Sequence, residues 1–362
     1  MKTIIISTSY FGNPVSDYYK ELGSEFVKNG YKVIYIFDGL LKEIPKNTEN
    51  FNYYTWPSTR PTKFADFVFL GKLIKRHKPI LSISNFGSAI VMSIISYLFR
   101  VKNRIEYIHT TTTQREIDNK NKFRIKLFRF RKKLVYKLNT HFFTNSEGTK
   151  LNSIKKFGIE KEKITVLPLL INSSDLDLCK RERRENTLII VGRLHPSKGH
   201  EGLLIQFSKC LSDFPELKLK IVGSGYLRER LEKLCNELHI NDSVVFTGNI
   251  ANQKINVEFS KALASVSSSK EEAFGLVNIE ALREGTPLIC TKTAGSGDIL
   301  IENYNGVFYD NSHENSLKEA IHTILSDWET YSKNARTEFS KKYGFEKNIS
   351  KQFNIINQLI GE

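Results

Sequence analysis

Glu272 and Glu280 stand with seven residues between them in the stretch Ser267 to Pro287, SSSKEEAFGLVNIEALREGTP. A strand-like run over Ala262 to Val266 leads into this stretch and a helix-like run over Leu276 to Arg283 leads out, so Glu272 falls on a turn and Glu280 on the early turns of a helix. The two acids then face one cleft from different depths. At such a helix start the backbone N–H groups of Phe274, Gly275, Leu276 and Val277 point outward and can hydrogen-bond an anion or a hydroxyl. A second cluster lies upstream, where TLIIVGRL runs into HPSKG and a helix. Arg193 and Lys198 flank that strand-to-helix turn, an arrangement that turns two cations and helix N–H groups onto a diphosphate. His109 ends the strand-like RIEYIH, and in open parallel sheets ligands bind beyond the carboxyl ends of strands. Each group also has a plainer reading: solvated acids on an amphipathic helix, surface cations, a structural histidine.

The acidic stretch resembles the Glu-x7-Glu motif of the retaining GT-B glycosyltransferases of family 4, also called glycosyl transferases group 1. The position after the first acid, usually Gly in that family, is Ala273, whose extra methyl narrows the pocket beside it. Val191, Gly192, Arg193, Lys198 and Gly199 match the family's Val-Gly-Arg-x-x-x-x-Lys-Gly signature. The resemblance implies that Glu272 bonds hydroxyls of the transferred sugar, Glu280 the ribose of the nucleotide, and Arg193 and Lys198 the donor's phosphates. By the same match His109 lies near the donor sugar and phosphate. Gly12 stands alone where the family carries a Gly-Gly pair that approaches the diphosphate and acceptor.

These residues need a scaffold, and the chain supplies alternating strand-like and helix-like runs from Lys2 onward, the pattern of a parallel sheet wrapped by helices. The expected fold class is α/β, and the resemblance implies its GT-B form, with two Rossmann-like domains facing across a cleft and a C-terminal helix crossing back to the first domain. We place an N-terminal acceptor-binding domain at 1–172, a linker at 173–186, a nucleotide-sugar-binding domain at 187–335, and returning helices at 336–362, with Asn348 to Ile360 the crossing helix. Ser316 to Glu362 reads as helical throughout. The linker's Asp175-Leu176-Asp177 follows no nucleotide-binding strand and is read as coincidence. Gly223-Ser224-Gly225 hints at a dinucleotide fingerprint, but Arg228 occupies the third glycine position.

With 362 residues, 40% apolar and no low-complexity tract, the chain is a globular protein of two or three domains. Cys179, Cys210, Cys235 and Cys290 lie far apart and read as reduced thiols of a cytoplasmic protein. MKTIIISTSYFGN is a strand and turn with no cleavage site of a secretory leader. Ile80 to Phe99 carries no charge, yet its serines and glycine divide it into strand, turn and buried helix, so it is not read as a membrane span.

The net charge of +15 is uneven: up to Asn172 there are 30 Lys and Arg against 13 acids, or +17, and beyond it 24 against 26, or −2. A basic half calls for an anionic partner. No nucleic-acid module accompanies it, so nucleic acid is excluded in favour of membrane. Lys120 to Leu138 packs nine Lys or Arg into nineteen residues without an acid, around a stripe of Phe123, Leu127, Phe130, Leu134 and Leu138. Such a helix can lie on an anionic membrane, or its stripe can pack on its own domain.

The resemblance implies a retaining, metal-independent hexosyltransferase. It would use a UDP- or GDP-sugar as donor substrate, with no further cofactor, and a lipid-linked or glycan acceptor of bacterial surface polysaccharide synthesis. Its place would be the cytoplasmic, inner face of the cell membrane, as a peripheral protein. A GT-B nucleotide-sugar epimerase, needing no acceptor and no basic helix, and a non-catalytic nucleotide-binding partner of a glycosylation complex are the rivals.

Overall fold

A computed structural model describes residues 1–8, 13–37, 45–118, 121–173 and 185–361. Gly12, Cys179 and the Asp175-Leu176-Asp177 triplet lie outside the described residues. The chain divides into two compact units. One holds Met1–Thr112, Asn121–Ile171 and the residues from Phe345 on; the other holds Thr113–Lys120 and Asn172–Gly344.

The first unit contains β1 (Thr3–Thr8), β2 (Lys32–Phe37), β3 (Phe51–Thr55), β4 (Leu81–Asn85), β5 (Asn103–Ile108), β6 (His141–Thr144) and β7 (Ile164–Val166). They form a sheet in the order β3-β2-β1-β4-β5-β6-β7, parallel throughout. Helices cover both faces of such a sheet, which is why β1 and β4 are buried along their whole length and read as unbroken apolar or small-residue runs. The helix Pro14–Lys28 starts where Asn13 Oδ1 accepts from the N–H groups of Val15 and Ser16, both 3.0 Å, and Pro14 needs no partner for a missing N–H. The uncharged Ile80 to Phe99 stretch becomes β4, a single turn at Phe86–Ser88 and the helix Ala89–Leu98, as its composition predicts. Among the described residues no helix is long and apolar enough to cross a membrane.

The basic segment forms the helix Lys122–Tyr136. Its inner face is held by Lys132, whose Nζ lies 3.3 Å from Oε1 of the buried Glu106 on β5, while Asn139 Nδ2 donates to Glu106 Oε2 at 3.2 Å. Burial pushes the Glu106 carboxyl up, and Lys132 partly offsets that. With this face turned inward the apolar stripe turns out: Phe123 is 75% exposed, Leu127 47%, Phe130 61% and Leu134 50%. These four residues of the stripe are thus not packed against their own unit, while Leu138 is half-buried.

The second unit contains β8 (Thr187–Val191), β9 (Lys218–Val222), β10 (Val244–Gly248), β11 (Ala264–Ser267), β12 (Leu288–Cys290) and β13 (Gly306–Phe308). Their order is β10-β9-β8-β11-β12-β13, again all parallel. The segment from Ser316 is not one helical run but three helices, Ser316–Ser326, Trp328–Lys342 and Phe345–Leu359, interrupted at Asp327 (φ −151°, ψ 55°) and at Tyr343 (φ −120°, ψ −14°).

The last of these helices packs on the helix Pro14–Lys28 in the first unit. Tyr18 donates to Gln352 at 2.7 Å, Ser350 to Glu25 at 2.6 Å and Tyr31 to Asn357 at 2.7 Å, and the rings of Phe26 and Phe353 meet edge-on at 4.9 Å. Helix Trp328–Lys342 stays with the second unit, so the chain rejoins the first at Phe345, whereas the sequence reading begins the return at residue 336.

Candidate active site

In the second sheet the strand order reverses between β8 and β11, and beyond the carboxyl ends of strands at such a reversal open α/β sheets bind ligands. After β8 the chain makes a single turn at Pro196–Lys198 and enters the helix His200–Cys210 through Gly199, at φ +67°. A Cβ at residue 199 would collide with the Ser268 carbonyl, so only glycine lets the two loops approach. They are stitched by Ser268 Oγ donating to the Lys198 carbonyl at 2.7 Å and the Lys270 N–H donating to the Ser197 carbonyl at 2.7 Å.

This stitching brings Lys198 Nζ onto Glu272 Oε2 as an ion pair, with side chains only 19% and 15% exposed. Removing either partner would strand the other, at a cost of about 3 kcal/mol for a buried pair. Past Glu272 the chain turns at Gly275, φ +91°, into the helix Leu276–Arg283. The first-turn N–H groups of Leu276 and Val277 have no carbonyl of their own helix to bond.

Lys198, Glu272, Gly275, Leu276 and Val277 line one cavity of about 180 Å³. His200 and Asn278 join them. His200 is 2% exposed, and among the described residues neither ring nitrogen has a hydrogen-bond partner; Asn278 Nδ2 is likewise buried and unbonded among them. Burial, and next the charge of Lys198, lower the His200 pKa to about 4, so the ring is neutral at pH 7 and presents one N–H and one lone pair. Buried polar groups are satisfied almost everywhere in folded proteins, so two residues of one cavity wall that carry unsatisfied polar atoms set this wall apart as a candidate ligand site. The cavity thus offers a cation, a carboxylate, backbone N–H groups and neutral hydrogen-bonding groups, the set that a molecule carrying both phosphate and hydroxyls requires.

Comparison with known proteins agrees with this chemistry. The model of glycosyl transferases group 1 matches residues 180–342, and that of glycosyltransferase family 4 matches residues 15–175. The chain belongs to the family 4 glycosyltransferases. A glycosyltransferase of Methanocaldococcus jannaschii is 33% identical over 171 residues, 46% of this chain and 43% of that protein, so the match spans less than half of the relative's length. The N-acetylgalactosamine-N,N'-diacetylbacillosaminyl-diphospho-undecaprenol 4-alpha-N-acetylgalactosaminyltransferase of Campylobacter jejuni is 27% identical over 310 residues, 82% of each chain. Among solved structures, sucrose-phosphate synthase of Thermosynechococcus elongatus superposes with a TM-score of 0.79 at 18% identity over 100% of both chains. Anabaena HepE in complex with UDP-glucose gives 0.75 at 16% identity, over 99% of this chain and 100% of that one. At these identities the structures speak to the fold, which is GT-B.

The remaining family 4 positions are placed as follows. Arg193 is exposed and does not line the cavity, although Gly192 before it does. Phe274 is 4% exposed, packed in the second unit with its ring 6.3 Å from that of Tyr343, and lies behind the cavity wall instead of in it. Glu280 sits one helical turn beyond Leu276 on the same face, outside the cavity lining. Burial raises its pKa to about 7; Arg283 pulls it down and Glu284 pushes it up.

His109 belongs to the first unit, just past β5. Asn85 Nδ2 donates to the Ser7 carbonyl at 2.9 Å, which turns Asn85 Oδ1 toward two donors, Tyr19 Oη at 2.7 Å and His109 Nε2 at 2.6 Å. The proton therefore sits on Nε2, leaving Nδ1, buried and without a partner among the described residues, as a bare acceptor. The ring is stacked between Tyr107 at 4.2 Å and Phe86 at 4.4 Å. Burial and then Lys132 lower its pKa to about 3.

Sequence reasoning misses His200 and Asn278. Their signal is slight: His200 directly follows the Lys198-Gly199 end of the signature, and Asn278 is the one uncharged polar residue in the apolar first half of LVNIEALR.

Proposed function

We propose that this chain transfers a sugar, with retention at the anomeric carbon, from a UDP- or GDP-linked donor to an acceptor hydroxyl on a lipid-linked glycan. The observation that carries the reading is the Lys198–Glu272 pair in a cavity that also holds the unbonded His200 and Asn278. As the bond from sugar to diphosphate breaks, negative charge gathers on the leaving phosphate. Lys198 and the N–H groups of Leu276 and Val277 stabilise it, with Arg193 swinging in from its exposed position. Fixed cations of this kind stand in for a metal, so transfer should survive chelation. Glu272, released from Lys198 by the phosphate, is left to orient the sugar hydroxyls, and Glu280 takes the ribose. His109 Nδ1 offers a neutral acceptor at the head of its own sheet.

A UDP-glucose complex of a protein with the same fold supports a nucleotide-sugar donor, and the undecaprenol-linked substrate in the Campylobacter relative's name supports a lipid-linked acceptor. The exposed stripe and cations of the helix Lys122–Tyr136 support attachment to the anionic inner face of the cell membrane, where such an acceptor resides. An epimerase would have no use for that surface. Incubation with UDP- and GDP-sugars and a lipid-phosphate extract, with and without EDTA, tests the reading. Transfer to lipid in both conditions is expected; an isomerised free sugar would point to the epimerase, and no turnover to the non-catalytic partner.

A further inference from the structure

A second hollow, of about 150 Å³, lies in the first unit between the end of the helix Lys122–Tyr136 and the start of β7. It opens at the amino ends of β6 and β7, whereas His109 stands at the carboxyl end of β5, so it is no part of the site built around that residue. Its floor is apolar, with Phe142, Phe157 and Ile159 all buried. Its rim carries Lys133, Lys137 and Lys163. Lys163 pairs with Glu160 at 2.9 Å, while Lys133 and Lys137 have no ion-pair partner among the described residues.

The helical geometry ties this hollow to the exposed stripe. At about 100° per residue, Phe123, Leu127, Phe130 and Leu134 fall within a band roughly 60° wide, with Lys137 and Lys133 about 20° and 60° beyond one edge. Arg131 and Arg124 lie about 40° and 60° beyond the other edge. Moving around the helix from the stripe, one meets first the two unpaired lysines and then the hollow behind them.

We infer that this hollow is the headgroup site of a phosphate-bearing membrane lipid. The phosphate sits between Lys133 and Lys137, the headgroup enters over Phe157, and the acyl chains leave across Phe130 and Leu134 into the bilayer. Pockets that bury a whole drug-sized ligand measure roughly 300–1,000 Å³, so a hollow of this size suits a headgroup whose tails remain outside. The inference rests on the membrane reading proposed above and adds to it a discrete site, where general attraction between basic helix and anionic surface would need none.

The test uses the full chain, with short-chain phosphatidylglycerol kept monomeric, inorganic phosphate, and vesicles of phosphatidylcholine with or without phosphatidylglycerol. The short-chain lipid should saturate a single site by calorimetry. Affinity should fall about tenfold or more in Lys133→Gln/Lys137→Gln and change less than about twofold in Arg124→Gln/Arg131→Gln, which removes the same charge from the opposite edge. All four side chains are exposed, so neither variant disturbs the core. Equal losses in the two variants, or no saturable site, overturn the headgroup site while anionic-vesicle binding leaves the membrane reading standing. Inorganic phosphate binding as tightly as the lipid overturns the lipid in favour of a free anion. Wild-type protein that ignores phosphatidylglycerol vesicles overturns both readings.

Discussion

Asn85 ends β4 at the break in strand order of the first sheet and joins Tyr19 and, just past β5, His109 in a neutral network held by aromatic stacking. At the break in the second stand Lys198 and Glu272, an ion pair in a cavity. The two units share an architecture and differ in where they keep charge. The residues up to Asn172 carry +17 and those beyond it −2, yet the basic half places a neutral histidine at its strand ends and pairs Lys132 with the buried Glu106 under the basic helix. The nearly neutral half sets Lys198 against Glu272 in the cavity itself. Topology supplies the place at each sheet, and the loops decide the chemistry put there.

If the second unit performs the charged part of the reaction, Glu272→Ala should give the largest effect. We expect a loss of about a thousandfold or more in transfer, with affinity for the bare nucleotide within about twofold of wild type; unchanged transfer would break the contrast at its root. Lys198→Ala should cost about a hundredfold or more in the same assay and weaken nucleotide binding as well.

If the first unit acts through a neutral group, His109→Ala should lower kcat by about tenfold to a hundredfold. The pH profile of the remaining activity should keep its shape between pH 5 and 8, because the ring's pKa of about 3 leaves it uncharged throughout. An acid limb in that range present in wild type and absent from the variant would make His109 a titrating group and erase the distinction.

Glu280 sharpens the picture within the second unit. Its folded-state pKa of about 7 lies above the ordinary 4.5, so between these values the folded chain binds more protons than the unfolded one, and stability falls as pH climbs through that window. Glu280→Gln should therefore match wild type near pH 4 and exceed it at pH 8, by on the order of 1 kcal/mol in denaturant unfolding. Nucleotide affinity, which calls for the ionised carboxylate, should rise up to about tenfold from pH 6 to pH 8 in wild type and stay flat in Glu280→Gln. The smallest effect is expected for the stability of His200→Leu. Removing an unbonded buried polar group should leave the thermal midpoint unchanged or raise it by a few degrees, roughly, while transfer falls. A clear drop in the midpoint would mean that the ring has a structural role.

Much of this was legible in the sequence because it is local. The helix Leu276–Arg283 and the turn carrying Glu272 follow from apolar periodicity and from the Gly275 that begins the helix. The division of Ile80 to Phe99 into strand, turn and helix follows from its serines and glycine. What escaped depends on packing between distant segments. Nothing in the neighbours of His200 says that both its nitrogens would be buried without partners among the described residues, since that depends on how distant segments pack around it. Arg193 matches the family signature in type and spacing, but its exposure is set by the path of the turn. Phe274 was read as part of the helix's outward-facing start, yet the helix begins two residues later and the ring is buried. That the stripe of the helix Lys122–Tyr136 faces outward depends on the Lys132–Glu106 contact, which turns the opposite face in.

The docking of helix Phe345–Leu359 onto the helix Pro14–Lys28 has a consequence for biosynthesis. During translation the ribosome must deliver the entire second unit before Phe353 and Gln352 reach their partners. The earlier-made unit thus waits for a distant piece of itself, while the later-made one has all its own residues once Gly344 has emerged. A nonsense codon just upstream of residue 345 would spare the half that holds Lys198 and Glu272 and leave bare the surface around Phe26, inviting aggregation at the opposite end of the gene product.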